Sequence, residues 1–426
     1  MGELFSRNFL LYAAGRIVSL MGSGIQNVAI PLYILRTTGS GLAMGTFAFV
    51  QLLPRIVTMP LGGVIGDNFN RKKIMVAMDF FCGFISLLLV VLVINGSISL
   101  VVLFIGQVFL SAFASVFDAS TAAMLPEIIE KKNLLKGNSV LGSINSATYI
   151  IGPIAGAALF GFFGIRMVLF INGISFLISA VSEIFIKYYP QEESQKITVK
   201  KAKKDIVEGF NFLKEASGIL PLIYYAATVN FFGVASLTVI LPYIFVEGIG
   251  FSDNQFGILQ ASVMIGIFIG NIILSIISEK LDKKKIIVYG LTAQAVLFFI
   301  LGVFFYPWAL KTFGMASIYL FGIFLILLIM FGIANAFLNT SINTNLQLMI
   351  PNKVRARVLS AYSFSMQVIS PLGVFAAGIA LELLEYYNLF MIFTVMIIIS
   401  TGIFFKKAPE DAYNPENKKK ENTVNI

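Results

Sequence analysis

The sequence contains no histidine, only one cysteine and few charged side chains. Of its 426 residues, 12% are Asp, Glu, Lys or Arg. Without histidine, the chain lacks the commonest metal ligand and the side chain that titrates nearest to neutral pH. The single cysteine, Cys82, cannot form an internal disulfide, and we interpret it as a packing residue. Glycine is nowhere followed by lysine, which excludes a Walker A phosphate-binding loop. We therefore expect no metal, no cofactor, no ATP binding and no enzyme activity.

Long apolar segments dominate the sequence. Hydrophobic residues make up 58% of the chain, with 41 Phe, and the mean hydropathy is +0.87. Runs of about 20 apolar residues, enough to cross ~30 Å of hydrocarbon, recur along nearly all of it. The first run is too long for a cleaved signal peptide. The sequence predicts an all-α integral membrane protein with twelve transmembrane helices, at about 9–35, 40–66, 73–95, 98–126, 139–161, 166–188, 219–246, 254–278, 285–306, 315–349, 358–384 and 388–406.

A charged segment between two apolar runs recurs half a chain length later. The segments are GVIGDNFNRKK at residues 63–73 and SIISEKLDKKK at residues 275–285. Such a repeat predicts two pseudo-symmetric six-helix bundles, an arrangement typical of transporters. We expect an N-terminal bundle at 1–188, a basic cytoplasmic linker at 189–217, a C-terminal bundle at 218–407 and a disordered cytoplasmic tail at 408–426.

Basic residues predict the orientation. If both termini are cytoplasmic, all but five of the 31 Lys and Arg residues lie on the cytoplasmic side. The exceptions are Arg16, Arg36, Arg55, Arg166 and Lys311. The positive-inside rule therefore favours cytoplasmic termini in the plasma or inner membrane. The net charge of +9 is then explained by contacts with anionic membrane lipids, and we expect no nucleic-acid partner.

The first charged segment resembles a loop motif of the major facilitator superfamily, in which Gly is followed by Asp four residues later and then by basic residues. The matching residues here are Gly63, Asp67, Arg71 and Lys72, although Asn68 and Asn70 depart from the usual Arg and Gly. The chain is similar to this superfamily over its full length, and most similar to the branch of macrolide-efflux proteins and the enterobactin exporter. The resemblance implies the major facilitator fold and transport by alternating access.

The resemblance also implies a charged latch that holds one conformational state. Its members would be Asp67, Arg71 and Asp118, the last in the fourth span. The alternative is that these charges only determine topology. Two arginines lie inside spans, where a charged residue is a candidate functional residue by default. Arg16 either has a role in transport or extends its side chain to the lipid headgroups, and Arg55 is expected to pair with an acid such as Asp79.

The fifth span carries a second resemblance. Gly152, Pro153 and Gly156 match a Gly-Pro motif of the superfamily's exporters, with an implied role in sealing against proton leak. Small residues at this spacing let two helices approach closely, and the proline removes a backbone hydrogen bond. Tight packing with no bearing on export is the alternative.

One departure concerns proton coupling. Proton-coupled drug exporters of the superfamily commonly carry Arg and then Gly in the fourth span, where this chain has Gln107 and Ser111. A neutral amide cannot replace the charge of the arginine. Coupling through that arginine is therefore not expected here.

Polar residues recur at helical spacing within several spans. Exposure to lipid would be costly, so these faces should point to the protein interior or to water. We predict that they bind substrate, with interhelical hydrogen bonding as the alternative. The predicted substrate-binding residues are Gln26, Asn27, Gln107, Ser111, Asn230, Asn335 and Asn339.

Together these features predict a secondary active transporter. We expect a monomer that exports small amphipathic organic compounds, such as drugs or macrolides, by proton-coupled antiport. Arg16, Asp79 and Asp118 are candidates for gating or coupling, and Asp79 or Asp118 is expected to carry the proton. A siderophore or metabolite exporter or facilitator of the same superfamily is the alternative, and a membrane enzyme is a remote one.

Overall fold

The computed structural model describes residues 6–96, 99–130, 133–188, 208, 219–277, 281–350 and 354–414, without the side chains of 59–68, 135, 355–357 and 411. Long helices dominate this part of the chain. We number them α1 (Arg7–Thr38), α2 (Gly41–Asn68), α3 (Arg71–Ile94), α4 (Leu100–Ile128), α5 (134–163), α6 (165–184), α7 (Leu220–Gly248), α8 (Asp253–Ile277), α9 (Lys283–Phe304), α10 (Ile318–Met349), α11 (Arg355–Leu383) and α12 (Tyr386–Lys407).

A glycine separates α5 from α6. Helical structure runs through Leu134–Ile184, but Gly164 interrupts it with φ 70° and ψ −179°. Only glycine adopts this conformation readily, because it has no Cβ. The described residues thus form eleven continuous stretches long and apolar enough to cross a membrane, one of which is broken into two helices. The predicted all-α membrane fold with twelve helices is confirmed.

The chain divides into two compact units. One comprises Met1–Thr38 and Phe49–Ala202, and the other comprises Gly39–Ala48 and Lys203–Ile426. The first turns of α2 therefore group with the later helices. There, a Cβ on Gly45 would lie 2.7 Å from Gly378 Cα in α11, and Ser40 Oγ donates to Glu382 Oε1 at 2.6 Å. The domain boundaries predicted from the sequence do not assign Gly39–Ala48 to the second unit. The predicted linker at 189–217 lies outside the described residues except for Glu208.

In the first unit, α1 packs closely against α5 and α6. A Cβ on Gly15 would lie 2.7 Å from Ser182 Oγ and 3.1 Å from Ser179 Oγ, both in α6. Small residues on both helices therefore bring the backbone of α1 next to a row of serine hydroxyls. Helix α3 packs against α4 and against α6, where Gly83 meets Leu177. These contacts position the interior charges of the first unit.

In the second unit, phenylalanines fill the core and glycines bring helices together. Gly266 in α8 and Gly332 in α10 face each other, and a Cβ on Gly266 would lie 2.9 Å from Gly332 Cα. The rings of Phe298 and Phe390 stack at 5.5 Å, and Phe298 meets Phe331 edge-on at 4.8 Å. Close helix approach and aromatic contacts stabilise membrane bundles, where lipid is as apolar as the core.

The chain after α12 folds back onto the second unit. The sequence predicts a disordered tail from residue 408, but the described part contains a helical turn at Glu410–Tyr413, in which Ala412 and Tyr413 are buried. Lys284 Nζ lies 2.6 Å from Glu410 Oε2. Hydrogen bonds from the Asn414 side chain and the Lys284 backbone N–H hold the pKa of Asp282 below its ordinary value. This C-terminal turn is thus attached to the start of α9; residues 415–426 are outside the described ones.

We expect Asn345→Ala to destabilise the second unit by about 1–3 kcal/mol, because it leaves buried carbonyls without a donor. The buried Asn345 amide of α10 donates to Ala412 O and Tyr413 O, each at 2.9 Å. Thermal unfolding of the detergent-solubilised protein measures the loss. Thr344→Ala is the matched control, since the exposed Thr344 hydroxyl bonds only within its own helix, to Thr340 O. Equal unfolding temperatures for both variants would contradict the expectation.

Candidate functional site

Asp118 in α4 is held by two arginines from other helices. Arg16 Nη1 of α1 lies 3.1 Å from Asp118 Oδ1, and Arg55 Nη2 of α2 lies 2.6 Å from Asp118 Oδ2. The Arg16 guanidinium also lies over the Phe117 ring, 5.4 Å from its centroid. Arg16 is only 15% exposed, whereas Arg55 and Asp118 are 45% and 42% exposed. We name these three residues the Asp118 cluster.

This geometry differs from the expected pairing of Arg55 with Asp79. Arg55 reaches Asp118 instead, and its backbone carbonyl accepts a hydrogen bond from Ser115 one turn before Asp118. Arg16 points to Asp118 rather than to headgroups. Two cations on one carboxylate leave the Asp118 cluster with one excess positive charge.

A second ion pair lies at one end of the same unit. Arg71 Nη1 donates to Glu127 Oε1 at 2.5 Å and to Ala123 O at 3.2 Å, and Tyr188 OH donates to Glu127 Oε2 at 2.6 Å. Burial, together with the hydrogen bond and negative charge of Glu127, raises the pKa of Tyr188 to about 12. Glu127 is nine residues after Asp118, about 13 Å along α4 at 1.5 Å per residue.

The predicted latch residues thus fall into two groups, since Asp118 binds Arg16 and Arg55 whereas Arg71 binds Glu127. Gly63 and Asp67 lie in α2, but their side chains are outside the described ones. Sequence reasoning missed Glu127 and Tyr188. The available signal for Glu127 was an acid directly after Pro126, at the end of a predicted span.

Two further carboxyls of the first unit are almost fully buried. Asp79 in α3 is 2% exposed and Glu183 in the last turn of α6 is 1% exposed. Ser179 Oγ lies 3.4 Å from Glu183 Oε1. Asp79 lies one turn before Gly83, where α3 packs against Leu177 of α6. Among the residues that the structure describes, Asp79 Oδ2 and Glu183 Oε2 have no hydrogen-bond partner. Sequence reasoning passed over Glu183, although a charge inside a predicted span was the signal that could have found it.

The Gly-Pro motif of α5 faces α1. A Cβ on Gly152 would lie 3.1 Å from Gly24 Cα, and one on Gly156 would lie 2.6 Å from Ile25 O. Pro153 is inside α5 and is buried between them. The motif therefore brings two helix backbones together at the middle of α1.

Three of the predicted substrate-binding residues are buried and already hydrogen-bonded. Gln26 Oε1 accepts from Asn172 Nδ2 of α6 at 2.5 Å. Gln107 Nε2 donates to Ser111 Oγ, one turn along α4, at 2.9 Å. The Gln26 contact joins two helices, as in the alternative of interhelical hydrogen bonding, whereas the Gln107 contact lies within α4.

Two predicted residues, Asn27 and Asn339, are exposed inside long helices. Asn27 of α1 accepts from Gln51 of α2 at 2.8 Å. Asn339 donates to the half-buried Asn335 at 2.7 Å, within α10. Exposed amides in the middle of a membrane helix favour contact with water over lipid, because each would lose hydrogen bonds in hydrocarbon.

Asn230 lies where α7 widens into π-helical turns, the first of which is Val229–Gly233. Its amide donates to Ala226 O, and its oxygen accepts from Ser370 of α11 at 3.1 Å. Next to this contact, a Cβ on Gly373 would overlap Phe231 O. Such π-helical turns are rare in proteins overall, but they are often found at functional sites.

Comparison with known proteins identifies the family of this chain. The family model described as Major Facilitator Superfamily matches residues 12–229 and 223–425. The chain belongs to the Major Facilitator Superfamily. Macrolide efflux protein A of Streptococcus pyogenes is 22% identical over 90% of this chain and 92% of its own length. The enterobactin exporter of Shigella dysenteriae is 24% identical over 60% of each chain.

Solved structures show the same fold. A bacterial homologue of the iron transporter ferroportin, crystallised in an inward-facing state, superposes with a TM-score of 0.71 at 18% identity, over 94% of this chain and 98% of the other. The predicted membership of the superfamily, and the similarity to the macrolide-efflux and enterobactin-exporter branch, are confirmed. This superfamily member is a multi-pass membrane transporter and not an enzyme.

Proposed function

We propose that this superfamily member exports small amphipathic organic molecules from the cytoplasm by proton-coupled antiport and alternating access, as a monomer with both termini cytoplasmic. The observation that carries the proposal is Asp79, a carboxyl only 2% exposed, with one oxygen that has no partner among the described residues. An unpaired buried carboxylate is costly, so a proton on Asp79 stabilises this arrangement. Asp118 has two arginine partners, and we assign it a gating role.

The distribution of charge supports a neutral or weakly charged substrate. Inside the spans of the second unit, charged residues occur only near helix ends. The first unit carries Arg16, Arg55, Asp79 and Asp118 within its helices, and the buried Glu183 in the last turn of α6. We assign ion coupling to the first unit. The exposed Asn335 and Asn339, with Asn27 and the half-buried Asn230, would offer hydrogen bonds to an amphipathic compound. The names of the efflux relatives point to macrolide-sized compounds.

We expect a collapsed pH gradient to stop export, while ATP depletion at a clamped gradient leaves it unchanged. Everted membrane vesicles from cells with and without the protein, supplied with a radiolabelled macrolide, measure this. Asp79→Asn should abolish uphill transport and retain downhill flux, because a permanently neutral side chain cannot exchange a proton. Glu247→Gln, an exposed acid of α7, is the matched control and should transport normally.

A facilitator, or a siderophore or metabolite exporter, is the second candidate. Gln107, in place of the arginine common in proton-coupled exporters, favours it, since the neutral Gln107 side chain has Ser111 as its only hydrogen-bond partner among the described residues. The same vesicles with a labelled catecholate siderophore distinguish the substrates. Transport that persists with neither a proton nor a sodium gradient would replace antiport with facilitation.

A further inference from the structure

We propose that Glu183 and Asp79 share one proton and form the coupling unit as a pair, with Arg16 as the cation they compete for with Asp118. The proposal deepens the proposed proton antiport by adding Glu183, which lies on a different helix from Asp79. It rests on the burial of both carboxyls, on the packing of α3 against α6, which carry them, and on the charges of the surrounding helices.

The hydrogen bonds around the pair require a proton. Ser179 has a single hydroxyl hydrogen, which it donates to Glu183 Oε1. No donor in the described part of the chain reaches Asp79 Oδ2 or Glu183 Oε2. Two ionised carboxylates on these packed helices would then repel each other in a region of low dielectric constant, with the Ser179 hydroxyl as the donor to Glu183. A carboxyl proton on either residue supplies the missing donor.

Charge balance determines the number of protons. Arg16 and Arg55 contribute two positive charges, whereas Asp118, Asp79 and Glu183 contribute three negative ones when ionised. One proton on the pair therefore makes the five residues neutral. Arg71 and Glu127 cancel each other in their own ion pair.

The other polar groups around the pair do not change this balance. From α1, the Tyr12 hydroxyl donates to Thr121 O, and Gly15 lets α1 approach Ser179 and Ser182. Cys82, one turn after Asp79 in α3, is buried. Lys72 at the start of α3 is half-buried, and its hydrogen bond to Ile184 O is at a solvent-exposed position. Neither Tyr12 nor Cys82 adds a charge when protonated, and water screens Lys72.

Proton release then acts on Arg16. When the proton passes to solvent, the pair gains a second negative charge next to α1, and Arg16 is the buried guanidinium on that helix. Asp118 keeps Arg55 as its partner at 2.6 Å when Arg16 turns to the pair. The second arginine on Asp118 thereby has a role: it lets Arg16 leave without exposing an unpaired Asp118. Arg16 would thus supply the positive charge that proton-coupled exporters have at the position of Gln107.

Infrared spectroscopy of the purified full-length protein tests the pair without any substrate. In a maltoside detergent, which has no ester carbonyl, protonated carboxyls give a distinct carbonyl band. At neutral pH we expect the wild type to show the intensity of one carboxyl. Asp79→Asn and Glu183→Gln should each lose the band completely, because the remaining acid balances the arginines without a proton. Glu247→Gln should keep it.

Arg16→Gln is expected to change the band intensity in the opposite direction, and it provides the test if either acid variant fails to fold. Removing one positive charge requires a second proton, so the band should double. A band lost in Glu183→Gln but retained in Asp79→Asn would mean that Glu183 holds its own proton, and would overturn the sharing. An unchanged band in Arg16→Gln would overturn the charge balance. If the bands change as expected but the wild type shows no gradient-driven export, the antiport proposal is refuted, while the shared proton of Asp79 and Glu183 is retained.

Discussion

Asp118→Asn is expected to abolish export while leaving the protein inserted in the membrane. The substitution removes the charge that holds Arg16 and Arg55, so two guanidiniums from α1 and α2 lose their common partner. Because Asp118 and Arg55 are nearly half exposed, water screens the loss, and we expect about 1–2 kcal/mol of destabilisation rather than the larger cost of a fully buried pair. Export of a labelled macrolide should fall by at least about tenfold, since about 1.4 kcal/mol changes a rate or population tenfold.

Asp118→Glu, which keeps the charge, should recover part of the activity. A thiol label reports the conformational shift, because Cys82 is buried and should not react. Asn27→Cys, read with a membrane-impermeant thiol reagent, should change its labelling when combined with Asp118→Asn. Asp67→Asn belongs in the same series, since the resemblance implies that Asp67 acts in the same latch. Unchanged labelling together with unchanged export in Asp118→Asn would refute a gating role.

Gly156→Leu is expected to reduce export severely by separating α5 from α1. A Cβ at this position would lie 2.6 Å from Ile25 O, which is a backbone atom and cannot rotate away. Overpacking of this kind costs on the order of 1–3 kcal/mol. Gly152→Leu should have a similar but smaller effect, because its nearest contact is 3.1 Å from Gly24. Export per unit of membrane-inserted protein is the measurement.

Gly142→Leu is the matched control within the same helix. A Cβ on Gly142 meets nothing within 4 Å, so the added side chain has open space. We expect normal abundance and export for this variant. Normal export by Gly156→Leu would show that close approach of the two helices is dispensable, and equal losses in Gly142→Leu would show a general intolerance of α5 to leucine.

The positions of the spans could be predicted from the sequence because they follow from local physics. A membrane helix must satisfy its own backbone hydrogen bonds and cross a fixed thickness, so hydropathy determines where it begins and ends. The predicted third span at 73–95 is Arg71–Ile94 in the structure, and the predicted eighth at 254–278 is Asp253–Ile277. The small residues Gly152 and Gly156 indicated close approach of another helix. The charged repeat and the loop motif indicated the family.

Only the tertiary structure decided which side chains meet. Arg16 and Asp118 are separated by 102 residues, and Gln26 and Asn172 by 146. Such contacts depend on how each helix is rotated and tilted, which packing against its neighbours determines and hydropathy does not encode. For that reason the sequence suggested Asp79 as the partner of Arg55, whereas the structure has Asp118. Helix rotation also explains Glu183, which sequence reasoning passed over: it is buried in α6, the helix that packs against α3 and its buried Asp79.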